Sequence, residues 1–125
     1  MANPSGRIGS KYEEHVLEKY IKPIWPNAYR PRLKGKNDYG DYDKVGLWLI
    51  EAKKRKKAQG GAEFNGWINT ILSKVRWRAH QQGDDELDHP WALICAGDKR
   101  TQPDIDLMVM DARWGAALID KWENG

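Results

Sequence analysis

Residues 45–53, Val-Gly-Leu-Trp-Leu-Ile-Glu-Ala-Lys, constrain this chain more than any other stretch. In a strand, side chains alternate between faces, and here both sets are apolar until Glu51. Such a strand has no face to offer water, so it belongs inside a sheet covered on both sides. Residues 91–96, Trp-Ala-Leu-Ile-Cys-Ala, repeat the pattern. Helices must supply the cover, and two stretches have the period for it. Tyr12, Val16, Leu17, Tyr20 and Ile21 recur at helical spacing, behind a Ser10-Lys11-Tyr12-Glu13 capping box and ahead of Pro23 and Pro26. Residues 63–82 place Phe64, Trp67, Ile68, Ile71, Leu72, Val75 and Ala79 on one stripe, with Gly83 suited to end the helix.

The remaining segments complete an α/β domain. Residues 28–33 read as a short extended piece interrupted by Pro31, and residues 34–40 as a turn. Residues 105–110 read as a strand, and Asp111 caps a last helix carrying Trp114, Ala117, Leu118 and Trp122. Residues 1–9 hold a Pro and two Gly without periodicity, which predicts a flexible arm ahead of one domain over 10–125. The predicted order is α-β-β-β-α-β-β-α, a mixed central β-sheet flanked by helices.

Composition excludes several classes. One cysteine, Cys95, rules out a disulfide framework or a cysteine-rich zinc site and points to a reducing, cytoplasmic setting. No stretch approaches the ~20 apolar residues of a membrane span. Charge is uneven: residues 1–60 hold 14 Lys/Arg against 7 Asp/Glu, while residues 61–125 hold 7 against 11. The basic half therefore carries the expected polyanion-binding surface. Its candidates are Arg7, Lys11, Arg30, Arg32, Lys34, Lys36, Lys54, Arg55, Lys56 and Lys57. His15, His80 and His89 lack metal-ligand spacing and are given no catalytic role; His15 is expected in solvent.

Chemistry concentrates where the buried strand ends. Glu51 and Lys53 are two apart and share a strand face with Val45, Leu47 and Leu49. Asp41 precedes Glu51 by ten residues, enough for an antiparallel return through a tight turn at 44–46. Two carboxylates with the Ala52 carbonyl suit a hard divalent cation such as Mg²⁺. Such an ion would bind a phosphate oxygen and activate water, with Lys53 holding that water and stabilising the transition state. Asp38 is the second choice of ligand if the turn falls elsewhere.

Asp41 with Glu51-Ala52-Lys53 resembles the Asp…(Asp/Glu)-x-Lys motif of the restriction-endonuclease-like nucleases. More narrowly, residues 9–13, 29–32, 38–41 and 49–53 are similar to segments of small Holliday-junction resolvases of archaeal and phage type. The resemblance implies a restriction-endonuclease-like core of α-β-β-β-α-β order. It implies Glu13 as a further metal ligand from the first helix, Mg²⁺ with Mn²⁺ able to substitute, and a homodimer acting on branched DNA. Flap or single-stranded DNA is the alternative substrate, and a nonenzymatic nucleic-acid-binding module the alternative class. Many relatives carry a Gln in the helix after the catalytic strand; here Asn69 or Ser73 would have to serve.

Overall fold

The computed structural model describes residues 4–31, 39–54 and 61–125, with side chains described from residue 9 onward except at Gly61. Helix α1 runs over Pro4–Val16 and continues as a π-helical turn over Leu17–Ile21, in which Lys22 N–H reaches Leu17 O at 2.9 Å. Strand β1 is Leu49–Lys53, helix α2 is Gly61–Gln82, and a 3₁₀ turn covers Glu86–Asp88. Strands β2, Trp91–Ala96, and β3, Asp106–Met110, precede helix α3, Ala112–Asn124.

The fold is mixed α/β, with a small three-stranded sheet ordered β1-β2-β3. β1 and β2 are parallel, with Glu51 opposite Leu93, and β2 and β3 are antiparallel. The parallel pair needs a crossover, and α2 supplies it. The alternation on β1 sorts the core in two. Ile50 and Ala52 pack with Tyr12, Val16, Leu17 and Ile21 of the first helix, whereas Leu49 packs with Ile71 and Val75 of α2. β1 and β2 are thus covered on both faces, as their composition demands. No helix among the described residues is long and apolar enough to cross a membrane.

Several expectations need correction. Residues 4–9, expected in a flexible arm, belong to the first helix, and residues 1–3 of that arm lie outside the described residues. Proline is well suited to a helix's first turn, where no N–H is needed. The capping box therefore does not form; Ser10 lies inside the helix and its Oγ accepts from Arg30. Only residues 49–53 of the long predicted strand are extended, because positive φ at Lys44 (60°) and Gly46 (64°) turns the chain before them. Leu47 consequently leaves the buried face and is 70% exposed. Of the two strands expected between the first helix and β1, the described residues hold one isolated Tyr29–Asp43 bridge. The turn expected over 34–40 lies largely outside the described residues.

Four donors and acceptors tie the first helix to the far strand. Asp106, at the start of β3, accepts from Tyr12 Oη at 2.8 Å and Tyr20 Oη at 2.6 Å, and His15 Nε2 lies 2.8 Å from its Oδ2. Burial pushes the Asp106 carboxyl up, but the bonds from Tyr20, His15 and Tyr12 outweigh it and hold the group below its ordinary range. His15 is exposed, as expected, and its ring also joins this tie. Asp111 caps α3 as expected, accepting from the Arg113 N–H at 2.9 Å. No residue of α3 is buried, and Trp122 is almost wholly exposed.

Candidate active site

The site forms along the outer edge of β1, the side away from β2. Gly40 makes it possible. Its φ is +91°, and a Cβ there would lie 2.8 Å from Ile50 O and 3.0 Å from Ile50 N. Only glycine lets the chain lie this flat against the strand backbone. The next residue, Asp41, then donates its N–H to Ile50 O at 2.8 Å, and its Oδ2 accepts the Ala52 N–H at 2.8 Å. The antiparallel return expected from the spacing is thus present, compressed to these contacts.

These bonds also orient the rest of β1. Ile50 O and Ala52 N face the Asp41 edge. In an extended strand a residue's N–H and C=O point to the same side, so the Ala52 carbonyl faces that edge too. Glu51 and Lys53 project from the face toward α2. A cavity of about 260 Å³ opens there, lined among others by Glu13, Asp41, Glu51, Lys53, Trp67 and Lys74.

The cavity concentrates buried charge. Asp41 and Glu51 are both 5% exposed. Burial first, and then the neighbouring Asp41 carboxylate, push the Glu51 carboxyl up to about 7; Lys74 pulls it part of the way back. Lys74 Nζ sits 2.9 Å from Glu51 Oε1. Two buried acids side by side are costly unless cations accompany them. Lys53 and Lys74 supply two at the cavity wall.

The chain matches no protein-family model, no curated protein and no solved structure.

Asp41, Glu51, Ala52 and Lys53 come together as expected. Glu13 lines the same cavity, but its Oε2 is 2.9 Å from Arg30 NH2, and no group of three or more His, Cys, Asp or Glu side chains among the described residues is close enough to hold a metal ion. Glu13 is thus paired with Arg30 at the cavity wall. Tyr42 Oη bonds Glu13 O at 2.7 Å and anchors that turn of α1.

Arg30 departs from the expected phosphate contact. Its guanidinium bonds Glu13 and Glu14 and reaches Ser10 Oγ, and its side chain is 25% exposed, so it clamps α1 from within. Lys11 and Lys54 are exposed as expected. Lys54 Nζ lies 6.0 Å from the centre of the Tyr12 ring. Arg7 is in α1, with its side chain outside the described set; Arg32, Lys34, Lys36, Asp38, Arg55, Lys56 and Lys57 lie outside the described residues.

On α2 the structure departs from the expectation of an amide. Asn69 and Ser73 are exposed, and Trp67, Thr70, Ile71 and Lys74 face the cavity instead. Lys74 is the residue that sequence reasoning missed. The signal was present: it falls seven residues after Trp67 and three after Ile71, a charge on an otherwise apolar stripe.

Proposed function

We propose that this protein is a metal-dependent DNA endonuclease with a restriction-endonuclease-like core, hydrolysing phosphodiesters in branched DNA as a homodimer. The observation that carries the reading is the pairing of two buried carboxylates, Asp41 and Glu51, beside Lys53 in one cavity. A nucleic-acid-binding module has no use for buried acids next to phosphate, since they repel it.

The residues fit a hard divalent ion. Two carboxylates and a strand-edge carbonyl are oxygen donors of the kind Mg²⁺ and Mn²⁺ take, and the repulsion that raises the Glu51 carboxyl is relieved by a cation. Asp41, Glu51 and the Ala52 carbonyl would hold the ion. When bound, it supplies Lewis-acid stabilisation of charge developing on the phosphate. The Ala52 N–H fixes the Asp41 carboxylate, so the site is preorganised on the strand edge. Lys53, on the same face as Glu51, lines the cavity, where it can orient a water and offset negative charge. Lys11 and Lys54 supply exposed positive charge for the DNA backbone, which fixes position without reading sequence. The match between a two-fold junction and paired nicks is what favours a symmetric dimer.

The test is cleavage of four-way junction, flap, duplex and single-stranded DNA with Mg²⁺ and with EDTA. Wild type should cut the junction only with metal, and Glu51→Gln and Asp41→Asn should bind DNA without cutting it. Cutting by both variants would overturn the site assignment, and DNA binding with no cutting of any substrate would return the protein to the binding-module class. Preference for flap or single-stranded DNA would keep the nuclease and replace the substrate.

A further inference from the structure

We infer that Lys74 is a resident cation that occupies Glu51 in place of the divalent ion and gives it up when that ion binds. The inference rests on the reading of Asp41 and Glu51 as a metal site. Glu51's side chain is 7% exposed and Lys74's 33%, so the lysine reaches from a half-wet position on α2 into a dry one. Along the cavity wall Ile71 is apolar, while Asp41 and Glu51 carry the carboxylates. Among the described residues the ion-pair partner of Lys74 is Glu51 Oε1, at 2.9 Å.

A divalent ion on the buried Glu51 carboxylate would stand within a few ångströms of the ammonium on its Oε1, where like charges repel strongly away from bulk water. Loading the site therefore displaces Lys74 Nζ. Lysine is the suitable residue for this exchange. Its charge is compact, its four-carbon stem is flexible and its donors rotate, whereas arginine's planar fork would lock onto the carboxylate. Once released, the ammonium stands at the edge of the cavity, within the compass of its own stem, where it can meet a phosphate oxygen.

This exchange gives Lys74 a signature of opposite signs. Removing its charge should tighten metal binding and slow cleavage. A lysine that merely braced α2 against β1 would, on removal, loosen the site and weaken both.

The experiment is Mn²⁺ titration of the full chain by calorimetry, without DNA, on wild type, Lys74→Met, Lys74→Arg and Asp41→Asn, each checked for folding by circular dichroism. Lys74→Met should bind Mn²⁺ about tenfold tighter than wild type, the scale of an ordinary coupling between two ligands of one site. Lys74→Arg should bind no tighter than wild type, and Lys74→Met should cut junction DNA more slowly at saturating metal. A folded Lys74→Met that binds Mn²⁺ equally or more weakly overturns the inference while leaving the metal site intact. Should Lys74→Met not fold, Lys74→Gln carries the same expectation, since it keeps a hydrogen bond without the charge. Equal Mn²⁺ binding by wild type and Asp41→Asn, or none by wild type, would sink the metal-site reading itself.

Discussion

Replacing Gly40 with alanine should damage stability and activity together, and the structure sets the scale. Two costs arise. At φ +91° an L-residue sits in left-handed territory, at about 1–2 kcal/mol. The new methyl also meets Ile50 O at 2.8 Å and Ile50 N at 3.0 Å, both backbone atoms of β1 that no rotamer change can move aside. Overpacking of this kind adds about 1–3 kcal/mol. The sum is about 2–5 kcal/mol. For 125 residues, about 1 kcal/mol shifts the melting temperature by roughly 4 °C. Gly40→Ala should therefore melt roughly 8–20 °C below wild type by the same scaling. Gly83→Ala is the internal control: its φ is +68°, but nothing lies within 4 Å of a Cβ there, so it carries the backbone cost alone. Relief of the clash pushes residues 40–41 off the strand and breaks the Asp41 N–H to Ile50 O bond, so cleavage should fall even at temperatures where the variant is fully folded. The assay is thermal unfolding of both variants followed by tryptophan fluorescence. Equal melting temperatures for the two would refute the idea that close approach to β1, rather than chain conformation, requires glycine.

Three further outcomes follow from the same contacts. Glu51 gains protons on folding, since its carboxyl rises from 4.5 to about 7, so its contribution to metal-free stability is present at pH 4.5 and lost as pH rises to about 7. Against Glu51→Gln, which lacks the titration, wild type should lose on the order of 2–3 kcal/mol between pH 4.5 and 8 in urea unfolding; parallel profiles would contradict this. Tyr20→Phe should cost about 1 kcal/mol and Asp106→Asn about 2–3 kcal/mol at pH 7, because the latter leaves Tyr12 Oη and Tyr20 Oη with a poorer acceptor; since the Asp106 carboxyl is held low in the fold, the gap should close as pH falls through the acid range, and a pH-independent gap in melting temperature would count against an ionised Asp106. Lys53→Arg should lose orders of magnitude in single-turnover cleavage while exposed Lys54→Arg stays near wild type, and equal rates would remove Lys53 from the catalytic set.

Periodicity made part of this legible in advance. The stripe on α2 is buried or half-buried at every predicted position from Phe64 to Ala79, because an apolar stripe has only one low-energy destination. The placement of Asp41 beside the Glu51 strand was legible because ten residues around a turn leave little choice. What was hidden depends on energies that spacing does not carry. The Arg30 side chain was read as surface charge, yet two glutamates on α1 offered it a better partner than solvent. The start of α1 was missed because Gly6 and Gly9 argue against helix, and helix length is decided by what continues it, not by local propensity alone. The extended run ends short of the apolar pattern because two left-handed residues, Lys44 and Gly46, draw Val45, Leu47 and Trp48 into a turn.

The widened turn at Leu17–Ile21 turns chain length into information. On an ideal α-helix Tyr20 would stand about 80° around from Tyr12, and Ile21 about 180°. Yet Tyr12 and Tyr20 reach one carboxylate, and Tyr12 and Ile21 share one core. The extra residue in the turn resets the helical phase so that the segment before it can aim Glu13 at the cavity while the segment after it still faces inward. A one-residue insertion in 17–21, beyond the extra residue the turn already absorbs, would keep every side chain's chemistry and rotate the two halves against each other by about 100°. Either the Asp106 tie or the burial of Ile21 would then be lost. In this stretch side-chain identities can drift within their types, whereas the count of residues cannot.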